Sequence, residues 1–226
     1  MTFQPDIEIV LRAFTAKTGP TDRFTSFDYC YNYFLKEDLK RDVEKSCLTL
    51  GFYLASWGML RGSSFLLNKS AKHFTDTIDY IGTLDRSVWE IDVDNYSDEN
   101  IKKIIEIYHE VKERLVTDAK THKTLVTKVL LGVFGFVPAF DDYFTQTFRE
   151  ICGNLCRFRS VNANSLRVIR DFYDANRKTI DKWSKRTFTT DFVTGERTGI
   201  KYPKAKIIDM YGFQRSFASA MPNDHL

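Results

Sequence analysis

The sequence predicts an all-α fold: a single multi-helix globular domain with a long loop or small hairpin near 186–200. Three observations carry this. Apolar residues recur at helical spacing along most of the chain. Only 5 prolines and 11 glycines punctuate 226 residues. One stretch alone, Thr-rich and β-branched, departs from the helical pattern. A hydrophobic share of 43% with 28% charge is that of a folded chain rather than a disordered one. Two helical lobes, about 1–115 and 116–226 with a cleft between them, are the alternative partition.

Taken in order, residues 5–15 place Ile7, Val10, Leu11 and Phe14 on one stripe, with Pro5 where a first turn tolerates it. Residues 25–35 repeat the spacing with Phe27, Cys30, Tyr31 and Phe34. A long helix is expected from Glu37 to about Leu60, polar at its start and apolar later. Arg61-Gly62 breaks it, and Ser63-Ser64 offers an N-cap for a helix to about Ile81, closed by Gly82. Ser97 caps the next helix, whose stripe is Ile101, Ile104, Ile105, Tyr108, Val111 and Leu115. Residues 117–123 form a polar connection. The apolar run 127–140 ends at Val137-Pro138 and then at Asp141-Asp142. Residues 142–158 and 163–184 follow as helices, the second with Leu166, Ile169, Phe172 and Tyr173 inward. Residues 186–200 carry turn signals. Tyr202-Pro203 then leads into a last helix, KAKIIDMYGFQRSF.

Charge and cysteine usage narrow the function classes. The net charge of +3 does not demand a nucleic-acid partner, although a local basic face could bind one. Cys30, Cys47, Cys152 and Cys156 form no C-x-x-C pair and read as free thiols, with the last two one helical turn apart. MTFQPDIEIVLRAF lacks a basic start and an apolar run, so no signal peptide is expected, and the longest apolar stretch is too short to span a bilayer. These readings imply a cytoplasmic protein without a membrane partner. No histidine pair has metal spacing, and no metal or cofactor is expected. Aromatics stand out at 15%, more than a core alone needs.

Asp141 and Asp142 are the acids placed to do chemistry. One reading is structural, an aspartate capping the helix that follows. The other is that a carboxylate faces a cleft and activates water or stabilises a cation. Residues 123–141, KTLVTKVLLGVFGFVPAFD, resemble the active-site segment of helix-hairpin-helix DNA glycosylases. Lys123-Thr124, Phe134-Gly135 and Val137-Pro138-Ala139-Phe140-Asp141 fall in matching places. The family's Gly-rich hairpin has no counterpart in VTDAKTH, residues 116–122. The resemblance implies a DNA N-glycosylase, in repair or phage defence, that acts on a flipped base. Asp141 would then serve the water or the sugar cation, and Lys123 the lyase chemistry.

The DNA-facing candidates are Trp57 and Arg61 at the break after the long helix, Lys128, and a stripe of Arg167, Arg170 and Arg177. Core packing is the competing role for Trp57, a helix C-terminal charge for Arg61, and a solvated helix face for the stripe of Arg167, Arg170 and Arg177. Asp209 in its apolar helix reads as a buried salt bridge or cap. The alternative for the whole chain is a non-enzymatic nucleic-acid-binding or protein-interaction module, of a defence or toxin–antitoxin system. A monomer is expected in either case.

Overall fold

A computed structural model of the protein describes residues 7–220, apart from 17, 38, 40 and 118–121. The fold is all-α and a single domain. Nine α-helices are present among the described residues: α1 (Ile7–Thr15), α2 (Ser26–Lys36), α3 (Val43–Ser56), α4 (Thr75–Ile81), α5 (Asp98–Leu115), α6 (Lys123–Phe134), α7 (Asp142–Cys152), α8 (Ala163–Arg186) and α9 (Lys204–Ala220). The stretch near 186–200 is a small antiparallel hairpin, β1 (Phe188–Thr190) with β2 (Arg197–Lys201). Pro5 and most of the polar connection at 117–123 lie outside the described residues.

Helix α6 is the centre of the molecule. Every residue from Leu125 to Phe134 is buried, as expected of a helix apolar on most sides. Helices α2, α3 and α5 pack around it, and α9 packs against α1, α7 and α8. One contiguous core joins residues from both halves of the chain, so the partition into two lobes is not what forms. The expected stripes are inside, except that Val10 and Ile105 are half-buried while Ile107 joins the core. No helix among the described residues is long and apolar enough to cross a membrane.

Several boundaries differ from the expectation. The first long helix starts at Val43, not Glu37, because the Asp42 carboxylate accepts the Lys45 N–H at 2.9 Å and caps it there. It stops at Ser56, and Gly58 beyond it is left-handed. Residues 63–74 form two short 3-10 turns rather than the start of a helix. Ser64 caps only the first, and Lys69 is extended. Helix α7 ends at Cys152, where Gly153 has φ +56°, so Cys156 is not on it; both thiols are nevertheless buried and free. Helix α8 kinks at Asn176, whose side-chain amide donates to the Phe172 carbonyl at 2.9 Å.

Two aspartates, Asp28 buried and Asp92 half-buried, fasten the C-terminal part. Asp28 accepts the Thr190 N–H at 2.8 Å and the Tyr202 hydroxyl, tying the hairpin to α2. Asp92 accepts the Lys204 and Ala205 N–H groups at 2.7 and 2.9 Å and so closes the start of α9. Burial raises each carboxyl to about 6 against these hydrogen bonds.

Close approach to α6 is set by Gly132, where a Cβ would fall on the Tyr53 ring of α3. Gly132→Ala is expected to destabilise the protein by about 1–3 kcal/mol through overpacking. Urea unfolding measures this, and an unchanged midpoint would contradict the packing described.

Candidate active site

Helix α6 ends at Gly135, in the left-handed conformation at φ +76°, with Pro203 and Tyr31 closed over the place a Cβ would take. The chain from Phe136 to Phe140 is then buried rather than an emerging loop. Its polar groups find partners inside. The Tyr96 hydroxyl donates to the Phe136 carbonyl, and the Ala139 N–H donates to Asp209 Oδ1 at 3.0 Å. The Phe140 N–H donates to Thr127 Oγ1 at 2.9 Å, and Thr124 Oγ1 donates to the Phe140 carbonyl at 3.1 Å. Pro138 has no N–H to satisfy. This pinned strap delivers Asp141 to one position.

Asp141 does two things there. Oδ1 accepts the Phe144 N–H at 2.9 Å and caps α7. Oδ2 faces Lys128 Nζ at 3.4 Å, with the lysine side chain 4% and the aspartate side chain 14% exposed. Burial pushes the Asp141 carboxyl above its usual range; Lys128 and the Phe144 N–H oppose the shift, and Asp209 adds to it. Burial lowers the Lys128 ammonium, with Asp141 and Asp209 opposing.

A second buried pair stands beside the first. Lys206 Nζ lies 2.8 Å from Asp209 Oδ2, and both side chains are nearly sealed from solvent. The two ammonium groups share one ring: Lys128 Nζ is 4.9 Å and Lys206 Nζ 4.7 Å from the Trp57 centroid. The Trp57 indole N–H is buried with no acceptor among the described residues.

Above Asp141 opens a cleft of about 440 Å³. Trp57, Tyr143, Phe213 and Phe217 form its aromatic wall, with Tyr143–Phe213 and Phe213–Phe217 centroids at 5.2 and 5.1 Å. Arg23 and Arg61 are exposed at its rim, and Lys128 and Asp141 reach it from below. The structure therefore brings together Trp57, Arg61, Lys128 and Asp141, four of the residues singled out in the sequence. Lys128 is an inward partner of Asp141 rather than a phosphate contact, because it is buried.

Lys123 does not join them at the floor. It lies five residues before Lys128, about 140° around the helix, and its Nζ faces Thr145 Oγ1 at 3.3 Å. Its ammonium is lowered by burial, with Asp142 opposing. The arginine stripe of α8 is also elsewhere. Arg167 pairs with Asp98 at 2.9 Å, Arg170 donates to the Tyr96 carbonyl at 3.1 Å, and Arg177 pairs with Asp174 at 2.6 Å. The kink at Asn176 lies between the second and third, so they form no continuous basic face.

Lys206, Arg23, Phe213 and Tyr143 escape the sequence reading. Lys206 had one signal: it precedes Asp209 by one turn inside an apolar helix, where two charges survive by pairing. Asp209 takes that salt bridge, as its sequence context implies. Among the described residues, no cluster of three His, Cys, Asp or Glu side chains could hold a metal ion. No protein-family model, curated protein or solved structure matches the chain.

The coupling across the Lys128–Asp141 pair is measurable. Lys128→Met alone is expected to cost about 3–5 kcal/mol, since it strands a buried carboxylate. Combined with Asp141→Asn, it should recover about 1–3 kcal/mol of that loss. A double-mutant cycle in urea tests this, and strictly additive costs would show that the two groups do not interact.

Proposed function

We propose that the protein hydrolyses the N-glycosidic bond of a nucleotide unit held in the Trp57 cleft. A damaged or modified DNA base is the substrate to which the resemblance of residues 123–141 points. The observation that carries this reading is Asp141, paired through its second oxygen with Lys128 and lining a cleft with an aromatic wall and an arginine rim.

The chemistry follows from that placement. A base against the half-buried rings of Trp57, Tyr143 and Phe217 would set its sugar over Asp141. As the bond from C1′ to the base lengthens, the carboxylate stabilises the cationic sugar. It then accepts a proton from water as the water oxygen bonds to C1′. The base leaves with the bond's electron pair and takes up a proton. Lys128 supports the ionised carboxylate that this role needs. In a lyase variant, the amine beside the carboxylate is Lys128 rather than Lys123.

The cap made by Oδ1 favours a second reading, a binding module in which Asp141 only opens α7. Substitution separates the two. Asparagine is also a good N-cap, so Asp141→Asn should fold. Its base release from a panel of modified DNA and nucleotides is expected to fall about 10²–10⁴-fold. The wild-type rate should fall on acidification at a pH above the ordinary aspartate value, because the raised carboxyl must be ionised to act. Release equal in the variant and the wild type, or absent with every substrate, would refute hydrolysis and leave the binding module.

A further inference from the structure

We infer that the unit recognised is a single nucleotide bearing a terminal phosphate monoester, and not a base within a duplex; the inference rests on the glycosidic reading of the same cleft. Its volume of about 440 Å³ lies within the range of roughly 300–1,000 Å³ that encloses a small ligand. The wall is built of four contiguous rings, with Phe213 buried among the other three: Trp57–Phe213 at 6.0 Å, Tyr143–Phe213 at 5.2 Å, Tyr143–Phe217 at 5.4 Å and Phe213–Phe217 at 5.1 Å.

Arg23 and Arg61 stand on the rim with no carboxylate partner among the described residues. Both are placed by local packing. The Arg23 guanidinium lies 4.7 Å from the Phe24 centroid, and the Arg61 Nε packs where a Cβ on Gly58 would come within 2.9 Å. Two guanidinium groups suit a terminal phosphate dianion, which offers three oxygens to their paired N–H donors. A phosphodiester inside a strand carries one charge and presents two free oxygens.

A duplex needs more than this cleft provides. Proteins that hold duplex DNA commonly neutralise about 6–10 phosphates along a basic surface. The arginines of α8 that could extend such a surface are engaged by Asp98, Asp174 and the Tyr96 carbonyl, and none lines the cleft.

Two measurements on the full chain decide the matter. The first is base release from nucleoside 5′-monophosphates, the parent nucleosides, and single- and double-stranded oligonucleotides carrying the same bases. Release from monophosphates is expected, with KM raised about 10- to 100-fold by Arg61→Gln and by Arg23→Gln, and little change for the nucleosides. The second is calorimetric titration of Asp141→Asn with a monophosphate and with each oligonucleotide, which reads recognition without turnover. The monophosphate should bind, and the loss of Arg61 should weaken it by the same factor. Base release from oligonucleotides alone would overturn the single-nucleotide inference while leaving the glycosidic reading standing. Monophosphate binding without any base release would do the reverse. No binding of either would overturn the inference itself.

Discussion

Two lysine–aspartate pairs around one tryptophan, one buried and the other with only its aspartate partly exposed, are the constraint on which the rest of this structure depends. Taking four charges out of water is costly, and each ion needs close partners to remain. Lys206 and Asp209 meet at 2.8 Å, Lys128 and Asp141 at 3.4 Å, and both ammonium groups lie near the Trp57 ring centroid, at 4.7 and 4.9 Å respectively. Helices α3, α6 and α9 and the start of α7 must all arrive at this point. A shift of any one would strand a charge in the core, so the cluster fixes their relative positions as firmly as apolar packing does.

The buried strap is the second consequence. An extended segment inside a protein must account for its N–H and carbonyl groups. Here Thr124 and Thr127 of α6 and Asp209 of α9 take up part of that demand. Asp209 therefore serves both the lysine and the strap. The result is an aspartate at 141 with one oxygen committed to a helix cap and the other facing Lys128, in a residue that lines the cleft.

Much of the fold was legible because it rests on periodicity. The stripes of α1, α2, α5 and α8 follow from spacing alone, and Ser97 and Asp141 cap where local chemistry places them. Boundaries were less legible, since Asp42 starts α3 six residues late and Asn176 kinks α8 through one side-chain bond. At the site, Trp57, Arg61, Lys128 and Asp141 could be named from their surroundings in sequence. Their convergence with Lys206 and Arg23 could not, because tertiary packing alone brings α9 and the turn before α2 to the same cleft. The arginines of α8 misled for a related reason. A stripe at helical spacing does not reveal the carboxylates across from it, here Asp98 and Asp174.

Function, on this account, depends on whether Asp141 is poised by Lys128 rather than merely buried with it. The carboxyl carbon resonance of Asp141, followed by NMR through a pH titration, tests this most directly. The account predicts a titration above the ordinary aspartate value in the wild type, and a further rise in Lys128→Met, where the opposing ammonium is gone. An ordinary value that ignores the loss of Lys128 would contradict the ion pair at the floor of the cleft, and with it the role assigned to Asp141.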